Sequence, residues 1–333
     1  MTSTTSTGLV RATLAAAERL GVSRTELLSE MSVDGRQLED KDARVPLQWV
    51  ADLDEAIQNR LGSGSAIQLA QLMERQHESL VAYLCRCSRT LREFLEQVCR
   101  YRALTMDVVT PTLSIRDGRA WFGCVYPQEL VESLPVCIEK DLALWLARGR
   151  RALGRDWSPV EVHLQTPVTD TVQYQTFFRA PVRKGAAGCW LVFDAGLLDC
   201  PTLESDCTLL AYLQPIADGV LSRLRARRSF AGSVRETMSR LMREGNCSID
   251  DVAKALAMSA RTVQRRLESE GTTFGEVFDE TRRATALEYL RNPQIAIKEA
   301  AFRVGFSEPS TFYRAFRRWT GATPADYRRS LAI

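Results

Sequence analysis

From Leu9 to about Asp107 the apolar residues recur three or four positions apart, as in PLQWVADLDEAIQNRL and TLREFLEQVCRYRALTM. That is the period of amphipathic helices, and several are predicted here. The stretch AERLGVSRTELLSE has the outline of a helix-turn-helix. Its second helix presents Arg24 beside Glu26 and Glu30, a poor surface for phosphates, so it reads as a structural helical pair. At TLSIRDGRAWFGCVY the pattern changes to two alternating runs around Asp117-Gly118, which predicts a β-hairpin. Next come a helix over LPVCIEKDLALWLARGRRALG, a strand over VEVHLQTP, a short helix at TVQYQTFF and a strand over CWLVFDAG. Residues 203 to 225 return to helical spacing, and residues 1 to 7 form a Ser/Thr tail expected to be disordered.

Beyond residue 247 one pattern occurs twice. Ile249, Ala253, Ala257, Met258 and Ser259 are matched 48 residues later by Ile297, Ala301, Gly305, Phe306 and Ser307. After one extra residue in the second copy, Val263 and Leu267 are matched by Phe312 and Phe316. Each copy has a short helix with a small-residue face, a tight break, and a second helix beginning near a serine suited to capping it. This is the layout of a helix-turn-helix. The expected architecture is an α+β N-terminal sensor domain over residues 8–222, helical at first and then mixed. An arginine-rich linker at 223–233 leads to an all-α domain over 234–331, in which two helix-turn-helix units are joined by a linker helix.

Composition adjusts this picture in two ways. The net charge of the 333 residues is only +3, but residues 232 to 333 hold 17 Lys+Arg against 13 Asp+Glu. The basic surplus thus sits with the repeat, and its modest size argues against an architectural protein that coats DNA without regard to sequence. Nine cysteines without a signal-peptide core suggest a reducing cytoplasm. No apolar run approaches the roughly 18 residues needed to span a bilayer. Walker, GxGxxG and GxSxG motifs are missing, so neither enzymatic activity nor a cofactor is expected. The two histidines, His77 and His163, lack partners at metal-ligand spacing, and no metal site is expected. A haem or redox sensor using His77 or the cysteines is the alternative reading of the N-terminal domain.

In the first unit Ser248 and Asp251 form a capping-box pair ahead of the supporting helix. The helix starting near Ser259 buries Val263 and Leu267 and turns Arg261, Gln264 and Arg265 outward, with Thr262 beside them. Arginine and glutamine can each make paired hydrogen bonds to a purine edge. In the second unit Gly305 permits the turn and Pro309 lies in the first turn of the helix. Phe312, Phe316 and Trp319 form its buried face, leaving Ser310, Thr311, Tyr313, Arg314 and Arg317 outside. Between the units, FGEVFDETRRATALEYLRN reads as one helix ending at Asn292-Pro293.

The segments DVAKALAMSARTVQRRLESEGTTF, RRATALEYL and IKEAAFRVGFSEPSTFYRAFRRWTGATPADYR resemble the DNA-binding domain of the AraC/XylS transcription regulators. Ala257 and Ala260 stand where many members have glycine and proline, changes expected to alter the first turn little. RVPLQWVADLDEAI, LVAYLCRCSRTLREFLEQVCRY and VEVHLQTP are similar to the subgroup whose sensor is called arabinose-binding-like. The resemblance implies a cytoplasmic regulator that binds adjacent major grooves of promoter DNA, usually an activator that recruits RNA polymerase. It also implies a small-molecule effector or dimerisation in the N-terminal domain. By position, Arg261, Thr262, Gln264, Arg265, Ser310, Thr311, Tyr313 and Arg314 become the base-reading candidates. Arg266, Lys298, Arg317 and Arg318 become the phosphate contacts. For the effector, Trp121, Tyr126, Trp145, Tyr174, Phe178 and Trp190 are the aromatic candidates for a pocket wall. Arg179, Arg183 or Lys184 would answer an acidic ligand.

Overall fold

The computed structural model describes residues 3–40, 43–74, 79–167, 171–243 and 247–331. The described chain divides into two compact units, residues 1–221 and 222–333.

The first unit begins with strand β1 (Thr4–Ser6), which pairs antiparallel with β2 (Arg44–Pro46). The Ser/Thr tail is therefore ordered in this part. Thr4 donates its N–H and its hydroxyl to the two carboxylate oxygens of Asp107, at 2.8 and 2.7 Å. Between and after these strands lie helices α1 (Thr7–Arg19), α2 (Arg24–Glu30), α3 (Gln48–Leu61), α4 (Ser65–Met73), α5 (Leu80–Cys87) and α6 (Leu91–Thr105). The pair α1 and α2 serves the core of this unit, as Leu14 and Leu27 are fully buried.

A five-stranded sheet follows, in the order β3 (Thr112–Arg116), β4 (Arg119–Cys124), β7 (Cys189–Asp194), β5 (Glu161–Leu164), β6 (Val182–Lys184). Neighbours are antiparallel except β5 and β6. The hairpin turns at Asp117-Gly118, both with positive φ, 49° and 72°, the backbone that this dipeptide tolerates. Helices α7 (Gln128–Ser133), α8 (Pro135–Leu153), α9 (Thr171–Phe178) and α10 (Cys207–Arg228) complete the order. Residues 223–228, read from sequence as linker, thus continue a helix.

Helix α8 organises the unit, packing against α3, α4, α6, α7 and β7. It starts on Pro135 and ends at Gly154 in the left-handed conformation. Three consecutive charged residues within it, Glu139, Lys140 and Asp141, are all buried. Successive helical residues point about 100° apart, so each finds a different partner. Tyr174 donates to Glu139, Lys140 to Asp54 and Arg102 to Asp141.

The second unit is helical: α11 (Phe230–Arg243), α12 (Ile249–Ala255), α13 (Ala260–Ser269), α14 (Phe274–Arg291), α15 (Ile297–Arg303), α16 (Pro309–Thr320) and α17 (Pro324–Ser330). It has two small cores. Val234, Met238, Val252, Val263, Leu267 and Val277 form one, and Ala286, Leu290, Ala301, Val304, Phe312 and Phe316 the other. Helix α14 supplies Val277 to the first and Ala286 and Leu290 to the second, so one rod carries both units. Its 18 residues span roughly 27 Å.

Candidate nucleic-acid interface and effector region

The first recognition helix, α13, starts at Ser259, whose hydroxyl accepts the N–H of Thr262. Helix α12 before it carries the expected capping box of Ser248 and Asp251. Val263 and Leu267 are fully buried while Arg261, Gln264, Arg265 and Arg266 are exposed. Thr262 is half-buried, and its hydroxyl lies 2.8 Å from that of Ser259, so it already takes part in the cap. Arg266 leans over the ring of Phe230 at 5.2 Å. Glu270, at the end of α13, accepts the N–H groups of Phe230 and Ala231 at 2.7 and 2.9 Å and so caps α11.

The second recognition helix, α16, has Pro309 at its start. Ser307, matched to Ser259 in the repeat, does not cap it. The N-cap is Glu308, which makes no side-chain cap bond, and proline's fixed φ and missing N–H take over part of that task. Phe312, Ala315 and Phe316 are buried and Trp319 half-buried. Ser310, Thr311, Tyr313, Arg314, Arg317 and Arg318 are exposed. Arg318 is held at 3.1 Å by Asp279 of α14. Lys298 is exposed on α15.

Two positioning residues, Arg282 and Arg328, escape a reading of local spacing. Arg282 of α14 donates to the carbonyl of Gly305 at 2.7 Å and lies between the rings of Phe278 and Phe306, at 4.2 and 4.5 Å. It therefore clamps the turn of the second unit to the connecting helix. Arg328 of α17 donates to the carbonyls of Leu290 and Ile295, at 3.2 and 2.7 Å, closing the C-terminal end of α14. Ala257, in the turn of the first unit, has a φ of 53°, and Gly305 at the matching place has 80°. The alanine keeps the left-handed turn at a cost of about 1–2 kcal/mol.

The aromatic candidates of the first unit do not share one wall. Along β4 and β7 successive side chains alternate between faces. Phe122 meets Trp145 of α8 in the core, with ring centroids 5.0 Å apart. On the opposite face of the sheet Trp121 meets His163 at 5.4 Å and Trp190 at 6.4 Å between ring centroids. Tyr126, Tyr174 and Phe178 are buried core groups. The proposed countercharges are paired at the surface, Arg179 with Asp156 at 2.5 Å and Arg183 with Glu161 at 2.8 Å, and Lys184 is exposed. A cavity does exist, but among α1, α4, α5, α6 and α8, and of the aromatic candidates only Trp145 lines it.

His77 lies outside the described residues. Burial pushes the thiols of Cys85, Cys99 and Cys189 up to about 12 and that of Cys124 to about 11. At neutral pH they are protonated, the form that reacts slowly as a nucleophile.

Two recognition helices on one rod, preceded by an α/β unit, define a DNA-binding regulator with an appended N-terminal domain. Residues 21–202 match the arabinose-binding domain of AraC transcription regulators, N-terminal, and residues 252–330 match a helix-turn-helix domain. The chain belongs to the AraC family of transcription regulators. It is 25% identical over 313 residues to the ornithine utilization regulator of Pseudomonas aeruginosa, covering 93% of this chain and 92% of that one. With the HTH-type transcriptional regulator VirS of Mycobacterium tuberculosis it shares 29% identity over 259 residues, 74% of this chain and 73% of the other. Over 83 residues, 25% of this chain and 26% of the other, it is 40% identical to the regulator VqsM of Pseudomonas aeruginosa. Among the described residues no helix is long and apolar enough to cross a membrane.

Proposed function

We propose that this chain is a sequence-specific transcriptional activator that reads two neighbouring major-groove segments of promoter DNA and answers to a small-molecule effector. The observation that carries this reading is that α13 and α16 each expose a polar, arginine-bearing face while their apolar faces pack into cores sharing α14. A rod of roughly 27 Å suits two helices entering groove segments roughly 34 Å apart. Arg261, Gln264 and Arg265 of α13, and Ser310, Thr311, Tyr313 and Arg314 of α16, read bases in this account. Thr262 contributes its methyl group, since its hydroxyl is engaged in the cap. Lys298, Arg266, Arg317 and Arg318 meet phosphates and set register. The protein works in the cytoplasm, where promoter DNA is, and contacts RNA polymerase to activate.

Self-association through α10 fits the same reading, because Leu209, Tyr212 and Ile216 leave an apolar stripe exposed on it. The test of DNA reading is a gel shift on duplexes selected from a random pool. Arg265→Ala and Arg314→Ala should each weaken binding by about tenfold or more with the thermal melt unchanged. Unchanged affinity in both contradicts the proposal. In vitro transcription from such a site, with and without the protein, tests activation.

A further inference from the structure

The cavity beside α8 carries an imbalance of charge. Its apolar wall is made by Leu9, Val81, Phe94, Leu144 and Trp145, and its polar groups include Arg102, Asp141 and Arg148. Asp141 is already engaged, by Arg102 and, at 3.4 Å, by the hydroxyl of Tyr126. Arg102 is 5% exposed, and its Nε is buried without a hydrogen-bond partner. Arg148, about two helical turns beyond Asp141 and therefore on the same face of α8, is half-buried and makes no ion pair or hydrogen bond among the described residues. Burial pulls its guanidinium below the ordinary range, and the influence of Cys85, Asp141 and Glu74 offsets this only in part. Among the described residues lining the cavity, two guanidinium groups thus face one satisfied carboxylate. Arg102 is buried and Arg148 partly so, and a cation left without a partner in such a place is costly unless something else supplies the anion.

We propose that this cavity binds a small monocarboxylate with an apolar body, its carboxylate held by Arg148 and by the Nε of Arg102. The residual charge of one sets the charge of the ligand, and the apolar wall sets the character of the rest. The guanidinium fork suits a carboxylate better than a point anion. The site rests on the reading of the N-terminal unit as effector-binding and gives that effector a chemical class. Neither the surface arginines nor the strand-borne tryptophans take part.

Calorimetric titration of the full-length protein with hexanoate and with benzoate, and with 1-hexanol as the uncharged control, tests the site. At least one of the two carboxylates should bind, and hexanol at least about tenfold more weakly. Arg148→Met should lower carboxylate affinity by about tenfold or more, with Arg148→Lys falling between the two. Because Arg148 has no partner among the described residues, Arg148→Met should not lower the melting temperature of the ligand-free protein. The proposal is overturned if neither carboxylate binds, if hexanol binds equally well, or if Arg148→Met and Arg148→Lys both leave affinity unchanged. A gel shift run with and without the bound carboxylate separates the two readings. Carboxylate binding that leaves DNA affinity unaltered keeps the site and removes the effector control.

Discussion

The two helix-turn-helix units solve one structural problem with different chemistry. The first packs valine, leucine and methionine, turns on an alanine held at a φ of 53°, and starts both its helices with serine caps. The second packs phenylalanine and tryptophan, turns on Gly305, starts α15 and α16 without side-chain caps, and has its turn clamped by Arg282 from α14. The first unit is thus defined by residues near in sequence. The second depends on a residue 23 positions away in the connecting helix. A repeat in sequence therefore conserves packing geometry without conserving the groups that fix it.

Removing a core side chain should show the contrast most strongly. Phe316→Ala should destabilise the second core by about 3–5 kcal/mol, and Leu267→Ala the first by about 2–5 kcal/mol. Thermal unfolding followed by circular dichroism measures both, and a Phe316→Ala cost below that of Leu267→Ala would reverse the comparison. Loss of the clamp comes next. Arg282→Met should cost about 1–2 kcal/mol, since the group is only half-buried, and should weaken DNA binding without touching a base-reading residue. Equal affinity for wild type and Arg282→Met would show that the turn holds its place unaided.

The turns themselves give a smaller, paired effect. At Gly305 an added Cβ would lie 3.1 Å from Nη2 of Arg282, on a backbone with φ of 80°. Gly305→Ala should therefore destabilise by about 1–2 kcal/mol or more. Ala257→Gly relieves the same strain but frees the unfolded chain, so it should lie within about 1 kcal/mol of neutral, on the stabilising side. Chemical denaturation of the two variants decides it, and equal losses would mean that the turns are alike after all.

The smallest effect is that of acid. Hydrogen bonds from Ser248 hold the Asp251 carboxyl below its ordinary value, and those from Thr273 do the same for Glu276. A carboxyl lowered in the folded state stabilises fully above its ordinary value, 3.8 for Asp251 and 4.5 for Glu276, and loses that contribution as pH falls through the folded one. Both caps lie at the first unit and at the start of α14. Amide protection, measured against the intrinsic exchange rate at each pH, should therefore fall in α12 and the first turns of α14 before α16 as pH is lowered. Simultaneous loss would deny the difference.

Much of this was legible in the sequence. Periodicity located the helices, Asp117-Gly118 the hairpin, and the repeat both recognition helices with their buried faces, because these features are written within a few residues of each other. Strand β1 was missed, since TTS has no periodicity and is ordered by Arg44–Pro46 and Asp107 far along the chain. Strand β6, three residues long, was missed for a similar reason. The cap at Glu308 differed from the serine expected because proline at the next position changes what the helix start needs. The roles of Glu270, Arg282 and Arg328 lie in contacts between elements, which spacing does not encode. The aromatic set suggested one pocket, and strand alternation divided it between two faces. The buried run Glu139-Lys140-Asp141 inside an apolar helix was the available hint that polar chemistry lies beside α8.

The claim on which the account turns is that one chain reads two groove segments through α13 and α16. Hydroxyl-radical footprinting on a selected duplex tests it directly, comparing wild type with Arg265→Ala and Arg314→Ala. Two protected segments should appear about one helical turn apart, roughly 34 Å, on one face of the DNA, and each variant should lose protection at a different segment. A single protected segment, or loss at the same segment in both variants, would contradict it.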